Sequence, residues 1–242
     1  MERSPLLGIL GGLGPMSTVY FYEMLTAHTE ASSDQEHLNI VISSFAETPD
    51  RTDYILGRSS ENPLTDMMEN AKKLESFGAT VIAIPCNTAH YFYSSLSKEV
   101  SVPILNIIEE TVRIAAGVRI GRLGILATEG TVMSESYQRV SENFGIACEI
   151  PNKDEQKMLM DIIYGDIKQG KRADMEKFSH VAKSLLDRGC EKLILGCTEL
   201  SLIKRDEGLG DEYLDSLEAL AYRTILACGK PPCGFPAYFG AR

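Results

Sequence analysis

The feature that most constrains this chain is an alternation of short, β-branched apolar runs with longer amphipathic stretches. Six runs read as buried strands: Leu6 to Leu10, Leu38 to Ser43, Thr80 to Ile84, Pro103 to Leu105, Arg122 to Leu126 and Lys192 to Leu195. They are short, almost continuously apolar and bounded by Gly, Pro or polar residues, the pattern of strands covered on both faces. Helical patterns fill the intervals. In Asn62 to Phe77, Asn62 can cap, Pro63 fits the first turn, and Leu64, Met67, Met68, Ala71 and Leu74 recur at helical spacing until Gly78 stops them. Such alternation predicts an α/β fold, with mainly parallel sheet covered by helices.

The pattern also repeats. Leu7-Gly8-Ile9-Leu10 returns as Leu123-Gly124-Ile125-Leu126, and Ile84-Pro85-Cys86-Asn87-Thr88 returns as Leu195-Gly196-Cys197-Thr198-Glu199, each a little over a hundred residues later. The echo predicts two similar α/β domains related by a pseudo-two-fold. Their corresponding strand ends would face one cleft, where sheets of this kind bind ligands. We place one domain at 1–115 together with a returning 211–242, and the other at 116–210. Asp211 to Cys228 reads as a closing helix, and Pro231 to Pro236 shows no regular pattern.

Charge narrows the partners. The net charge is −10, with acidic residues spread along the chain, so no basic face is visible for nucleic acid. A small anionic substrate would need a local cluster of cations. No apolar run reaches the roughly 18 residues that span a bilayer. The amino terminus lacks the basic flank of a signal peptide, so a cytoplasmic location is expected. The six cysteines should then be thiols, and no Cys-x-x-Cys pair supports zinc or thioredoxin-type chemistry.

A free cysteine is usually a small buried hydrophobe, and Cys148, Cys190, Cys228 and Cys233 are read that way. Cys86 and Cys197 differ, because each ends an apolar strand and precedes a helix-starting sequence. The positive end of a helix favours thiolate, and two thiols at equivalent turns would face each other across a shared site. Inverting a carbon centre by proton transfer needs that geometry: a base on one face, an acid on the other, and an exchange of roles in reverse. A carbanion-like transition state also needs fixed donors, for which Asn87, Thr88, Thr131 and Thr198 are candidates. His90 and Glu199 follow the cysteines but are as readily helix-turn residues, and this reading gives them no catalytic role.

Two other readings are weaker. Gly12-x-Gly14 suggests a dinucleotide loop, but Ser17 stands where that fingerprint wants Gly or Ala, and no clear ribose acid follows Phe45. A small-molecule sensor would not require paired thiols.

The segments Gly8 to Pro15, Pro49-Asp50-Arg51-Thr52, Pro85-Cys86-Asn87-Thr88-Ala89-His90, Ile108-Glu109-Glu110-Thr111 and Gly196-Cys197-Thr198-Glu199, in this order, resemble the aspartate racemase branch of the aspartate/glutamate racemase family. The resemblance runs from about Leu7 to about Leu220. It implies two α/β domains with the site between them, an amino-acid racemase using no pyridoxal phosphate and no metal, and commonly a homodimer. It also implies that Cys86 and Cys197 are the proton carriers and that Arg51 meets a substrate carboxylate. Asn87, Thr88 and Ala89 would hold the α-substituents, and Lys168 would be a second substrate cation. Two cations suit a dicarboxylate, which an arginine fork matches well. Leu13 falls on the implied pocket wall, where relatives more usually have Met. Since both cysteines are kept, two-way interconversion of L- and D-aspartate is expected. Glutamate, broad-specificity or hydantoin racemisation and maleate isomerisation are the nearest alternatives, and pocket shape decides among them.

Overall fold

The computed structural model describes residues 4–240; positions 1–3 and 241–242 of the expected first domain lie outside the described residues. All six predicted runs form strands, and two further short strands join them. In chain order they are β1 (Leu6–Gly11), β2 (Asn39–Ser44), β3 (Val81–Ala83), β4 (Ile104–Leu105), β5 (Arg122–Leu126), β6 (Ala147–Glu149), β7 (Lys192–Leu195) and β8 (Tyr213–Asp215). They make two four-stranded sheets ordered β2-β1-β3-β4 and β6-β5-β7-β8, parallel throughout. The same order occurs twice, as the sequence echo predicts. Leu7 lies between Ile40 and Val81, and its counterpart Leu123 lies between Cys148 and Lys192.

Two expectations need correction. The stretch from Asp211 is not helical from its start: Tyr213–Asp215 is a strand, and the helix covers Ser216–Ala227. β8 also pairs with β7, so the second sheet extends beyond residue 210, where the sequence reading ended it.

Local chemistry explains the helix boundaries. Asn62 Oδ1 accepts from the Leu64 amide and Pro63 opens the helix Pro63–Ser76, filling a first turn whose amides lack helical partners. Asn106 caps the helix Ile107–Gly117, and Asp215 caps Ser216–Ala227 in the equivalent place of the other half. These two helices lie between the sheets. The apolar cluster around them takes Leu7, Ile9 and Phe21 from the first half and Leu123, Ile125, Ile194 and Leu214 from the second. Separate clusters fill the outer layers, one around Met67, Leu74 and Ile82, the other around Leu159, Phe178 and Leu193.

In each sheet the chain moves outward from the first strand to one neighbour, then returns to the other side. The crevice beyond the carboxyl ends of β1 and β3, and beyond β5 and β7, is therefore the switch point where ligands bind. Gly12 follows β1 with φ +85, and a Cβ there would lie 2.5 Å from the Phe45 amide nitrogen. Only glycine permits both that conformation and that approach.

Candidate active site

Cys86 follows β3, and Cys197 is the N-cap of the helix Thr198–Glu207 after β7. Both are nearly buried, 6% and 5% exposed, and both line one narrow cleft. Leu13, Asp50, Arg51, Thr52, Asn87 and Thr88 reach it from the first half. Thr128, Tyr164, Lys168, Thr198 and Glu199 reach it from the second.

Hydrogen bonds tie the two cysteine loops together. Thr198 Oγ1 donates to the Pro85 carbonyl at 3.2 Å. Asn87 Nδ2 donates to Ser216 Oγ at 2.9 Å, which donates to the Leu195 carbonyl at 2.7 Å. The Tyr137 hydroxyl donates to Asn87 Oδ1 at 2.6 Å. Thr88 Oγ1 lies 2.9 Å from both Thr128 Oγ1 and Thr131 Oγ1, a buried hydroxyl triad across the halves. His90 Nδ1 lies 2.8 Å from the Cys86 carbonyl, and its Nε2 lies 3.2 Å from the Ile107 amide and 3.3 Å from the Leu105 carbonyl. Burial lowers the imidazole pKa, so His90 is a neutral brace beneath the first cysteine.

The cations are already engaged. Arg51 Nη1 donates to the Thr48 and Pro49 carbonyls at 3.2 and 3.0 Å, and Nη2 donates to the Leu13 carbonyl at 2.7 Å. Its fork therefore grips main chain, contrary to the expectation of a fork turned to substrate, and the buried Nε has no hydrogen-bond partner among the described residues, which is costly for a buried donor. Lys168 Nζ pairs with Glu199 Oε1 at 3.1 Å. The Tyr164 hydroxyl, on the π-helical turn Asp161–Asp166, donates to the Asp50 carboxylate at 3.1 Å. Such turns recur at functional sites.

The two thiols share Glu199 and Lys168 as charged neighbours but differ in which charge acts most strongly. Burial pushes Cys86 up and Glu199 adds to it, while Arg51, most strongly, and then the Ala89 amide and Lys168 pull it down. Burial pushes Cys197 well up, and Glu199 pushes it further, against the pull of Lys168. The expectation that a helix amino end leaves these cysteines favouring thiolate does not hold, because removing the charged form from water outweighs the end effect. The thiolate, once formed, is correspondingly the stronger base.

Of the residues singled out from sequence, Cys86, Cys197, Arg51, Asn87, Thr88, Lys168, Thr198 and Leu13 line the cleft. Ala89 and Thr131 do not. The Ala89 side chain joins the apolar cluster around Cys86 while its amide lowers the pKa of that thiol, and Thr131 lies within hydrogen-bond distance of Thr88 and Thr128. Sequence reasoning missed Asp50, Thr52, Thr128 and Tyr164, and gave Glu199 no role. Asp50, Thr52 and Glu199 stood inside quoted motifs, Tyr164 stood in the segment Ile163 to Lys168 that carries the second cation, and Thr128 had the signal of a strand end. Among the described residues, no three His, Cys, Asp or Glu side chains converge as a metal site.

A family model described as Asp/Glu/hydantoin racemase matches residues 10–224. Among solved structures, an aspartate racemase of Picrophilus torridus is 30% identical, with a TM-score of 0.80, covering 95% of this chain and 96% of that one. A broad-specificity amino-acid racemase, RacX of Bacillus subtilis, is 29% identical over 91% of this chain and 96% of its own. A glutamate racemase of Aquifex pyrophilus is 34% identical over 68% of this chain and 65% of its own.

Proposed function

The chain belongs to the Asp/Glu/hydantoin racemase family, and from that premise we propose that it interconverts L- and D-aspartate. Cys86 and Cys197 are the two proton carriers in this reading, with no pyridoxal phosphate and no metal. One thiolate takes the α-hydrogen as a proton and becomes a thiol. The electron pair left on the α-carbon is shared with the α-carboxylate. The opposite thiol then delivers its proton to the other face, which inverts the centre and leaves that sulfur as thiolate.

The observation that carries this reading is the arrival of two buried strand-end thiols, one from each half, at a single cleft. Lys168 and Arg51 supply positive charge there for a substrate's carboxylates, and partial burial makes such interactions stronger than in water. Asp50 and Glu199 supply negative charge for an ammonium group. Thr88 and Thr128 bring hydroxyl groups to the same cleft. Assembly as a cytoplasmic homodimer belongs to the same proposal; among the described residues no helix is long and apolar enough to cross a membrane.

Broad specificity is the second reading, favoured by the RacX likeness over nearly the whole chain. Aspartate and glutamate differ by one methylene, which a pocket discriminates by only ~1–3 kcal/mol. Incubating purified protein with single enantiomers of aspartate, glutamate and neutral amino acids in deuterated water tests both. The expected result is α-deuterium in the product enantiomer without added pyridoxal phosphate, fastest with aspartate. Comparable rates across the panel would establish the broad reading. Unlabelled, uninverted substrate throughout would leave a binding protein.

A further inference from the structure

The two halves repeat one architecture, but the residues two positions beyond the cysteines differ. Beyond Cys86 it is Thr88, which joins the hydroxyl triad; beyond Cys197 it is Glu199, 5% exposed. Cys197 Sγ donates to Glu199 Oε2 at 2.9 Å, and the other carboxylate oxygen holds Lys168. The same residue's amide also acts on Cys197, in the opposite sense to its carboxylate, easing the loss of the thiol proton. Space is kept for this carboxylate by Gly14 across the cleft, where a Cβ would lie 2.8 Å from Glu199 Oε1. The first cysteine has a cation as its strongest charged neighbour, Arg51, and the second has an anion.

A two-base reaction starts with one thiolate and one thiol, so a symmetric pair of cysteines needs something to break the tie. We propose that Glu199 is a positioning residue that decides which sulfur carries the proton before substrate enters: accepting from Cys197 and paired with Lys168, it keeps the proton on Cys197, so that Cys86, facing Arg51, is the sulfur that gives up its proton first. This rests on the reading that these cysteines are the proton carriers. The resting enzyme then accepts the enantiomer whose α-hydrogen points at Cys86. After turnover Cys86 holds the proton taken from the substrate, and Cys197, having given its own proton to the product's α-carbon, is a thiolate beside the Glu199 carboxylate. Lys168 and the Glu199 amide hold that less favourable form until a proton returns. Thiol and carboxylate repel nothing; thiolate and carboxylate do, by the ordinary preference of like charges for separation.

The test is an NMR pH titration of enzyme labelled at cysteine Cβ, with resonances assigned from single Cys86→Ser and Cys197→Ser variants. The groups facing the pair, and hence able to move the titration, are Arg51, Asp50, Lys168, Tyr164, Tyr137 and Glu199. In the unaltered enzyme Cys86 should ionise at lower pH than Cys197. In Glu199→Gln the Cys197 titration should fall by about one pH unit or more, a tenfold gain in acid dissociation, with Cys86 moving less. Glu199→Asp, which withdraws the acceptor but keeps the charge, should fall between, and it serves if the Gln variant does not fold. Cys197 ionising before Cys86, or unmoved in a folded Glu199→Gln, would overturn the proposal.

Turnover adds an independent readout. Enantiomers have equal free energy in water, so kcat/KM must be the same for both in any variant. The ratio of the two kcat values is free to vary, and Glu199→Gln should change it. An unchanged ratio in a folded, active variant also counts against the proposal. Absence of all turnover in the unaltered enzyme would instead remove the racemase reading, while the titration, which uses no substrate, still reports on Glu199.

Discussion

At Cys86 and Cys197 the same burial that makes each thiolate scarce makes it a strong base. A carbon acid needs strength in its base, and general acid–base groups contribute typically ~10²–10⁴-fold to rate. Replacing either cysteine with Ala is expected to lower racemisation by about that range while circular dichroism stays native. Neither side chain is a large element of the core, and Ala fits each nearly buried position. Substantial turnover in either variant would contradict the two-thiol relay. Arg51 illustrates how a residue type can be right and its role differ: its terminal nitrogens brace the loops at Leu13 and Thr48–Pro49, and only Nε faces an unmet need.

At the scale of elements, the capping residues of the two central helices are equivalent in place but not in charge. Asn106 is neutral, whereas Asp215 is fully buried. Asp215 Oδ1 accepts from Ser201 Oγ at 2.7 Å and from the Leu217 amide at 2.8 Å, and Oδ2 has no partner among the described residues. Burial, with Glu218 adding to it, pushes this carboxyl up to about 7. Its unfolded value is near 3.9, so between those limits the folded chain holds the proton more tightly. Stability therefore falls as pH rises from about 4 through 7, by roughly 2–4 kcal/mol. Asp215→Asn keeps an acceptor for both donors and removes the charge. Thermal unfolding should show this variant more stable than the parent at pH 8, with the difference vanishing below pH 4. A less stable variant at pH 8 would refute the assignment.

At the scale of the whole molecule, the helices Ile107–Gly117 and Ser216–Ala227 pack both sheets into one apolar cluster. The halves share a core and are expected to unfold together. Leu217 is fully buried in that cluster. Leu217→Ala should cost ~2–5 kcal/mol and shift one cooperative transition, seen alike by circular dichroism and tyrosine fluorescence. Two separated transitions, with one half surviving the other, would show the halves to be independent. The shared core also explains why the second sheet continues past residue 210: β8 supplies Leu214 to the cluster and Asp215 to the helix cap in consecutive positions. Strands of three residues such as Ala147–Glu149 and Tyr213–Asp215 carry too few positions for a periodicity to register. Each was visible only once a neighbouring strand paired with it.

The sequence by itself determined the α/β alternation, the duplication and the placing of one thiol at the end of a strand in each half, because apolar runs, caps and turn glycines act locally along the chain. The tertiary structure alone decided which neighbours of those thiols reach the cleft. It placed Tyr164 there and Ala89 and Thr131 behind it, turned Arg51 toward main-chain carbonyls, and set an anion against one sulfur and a cation against the other. Those outcomes depend on through-space distance and on loss of water, two quantities that belong to the packed chain and have no counterpart in residue order.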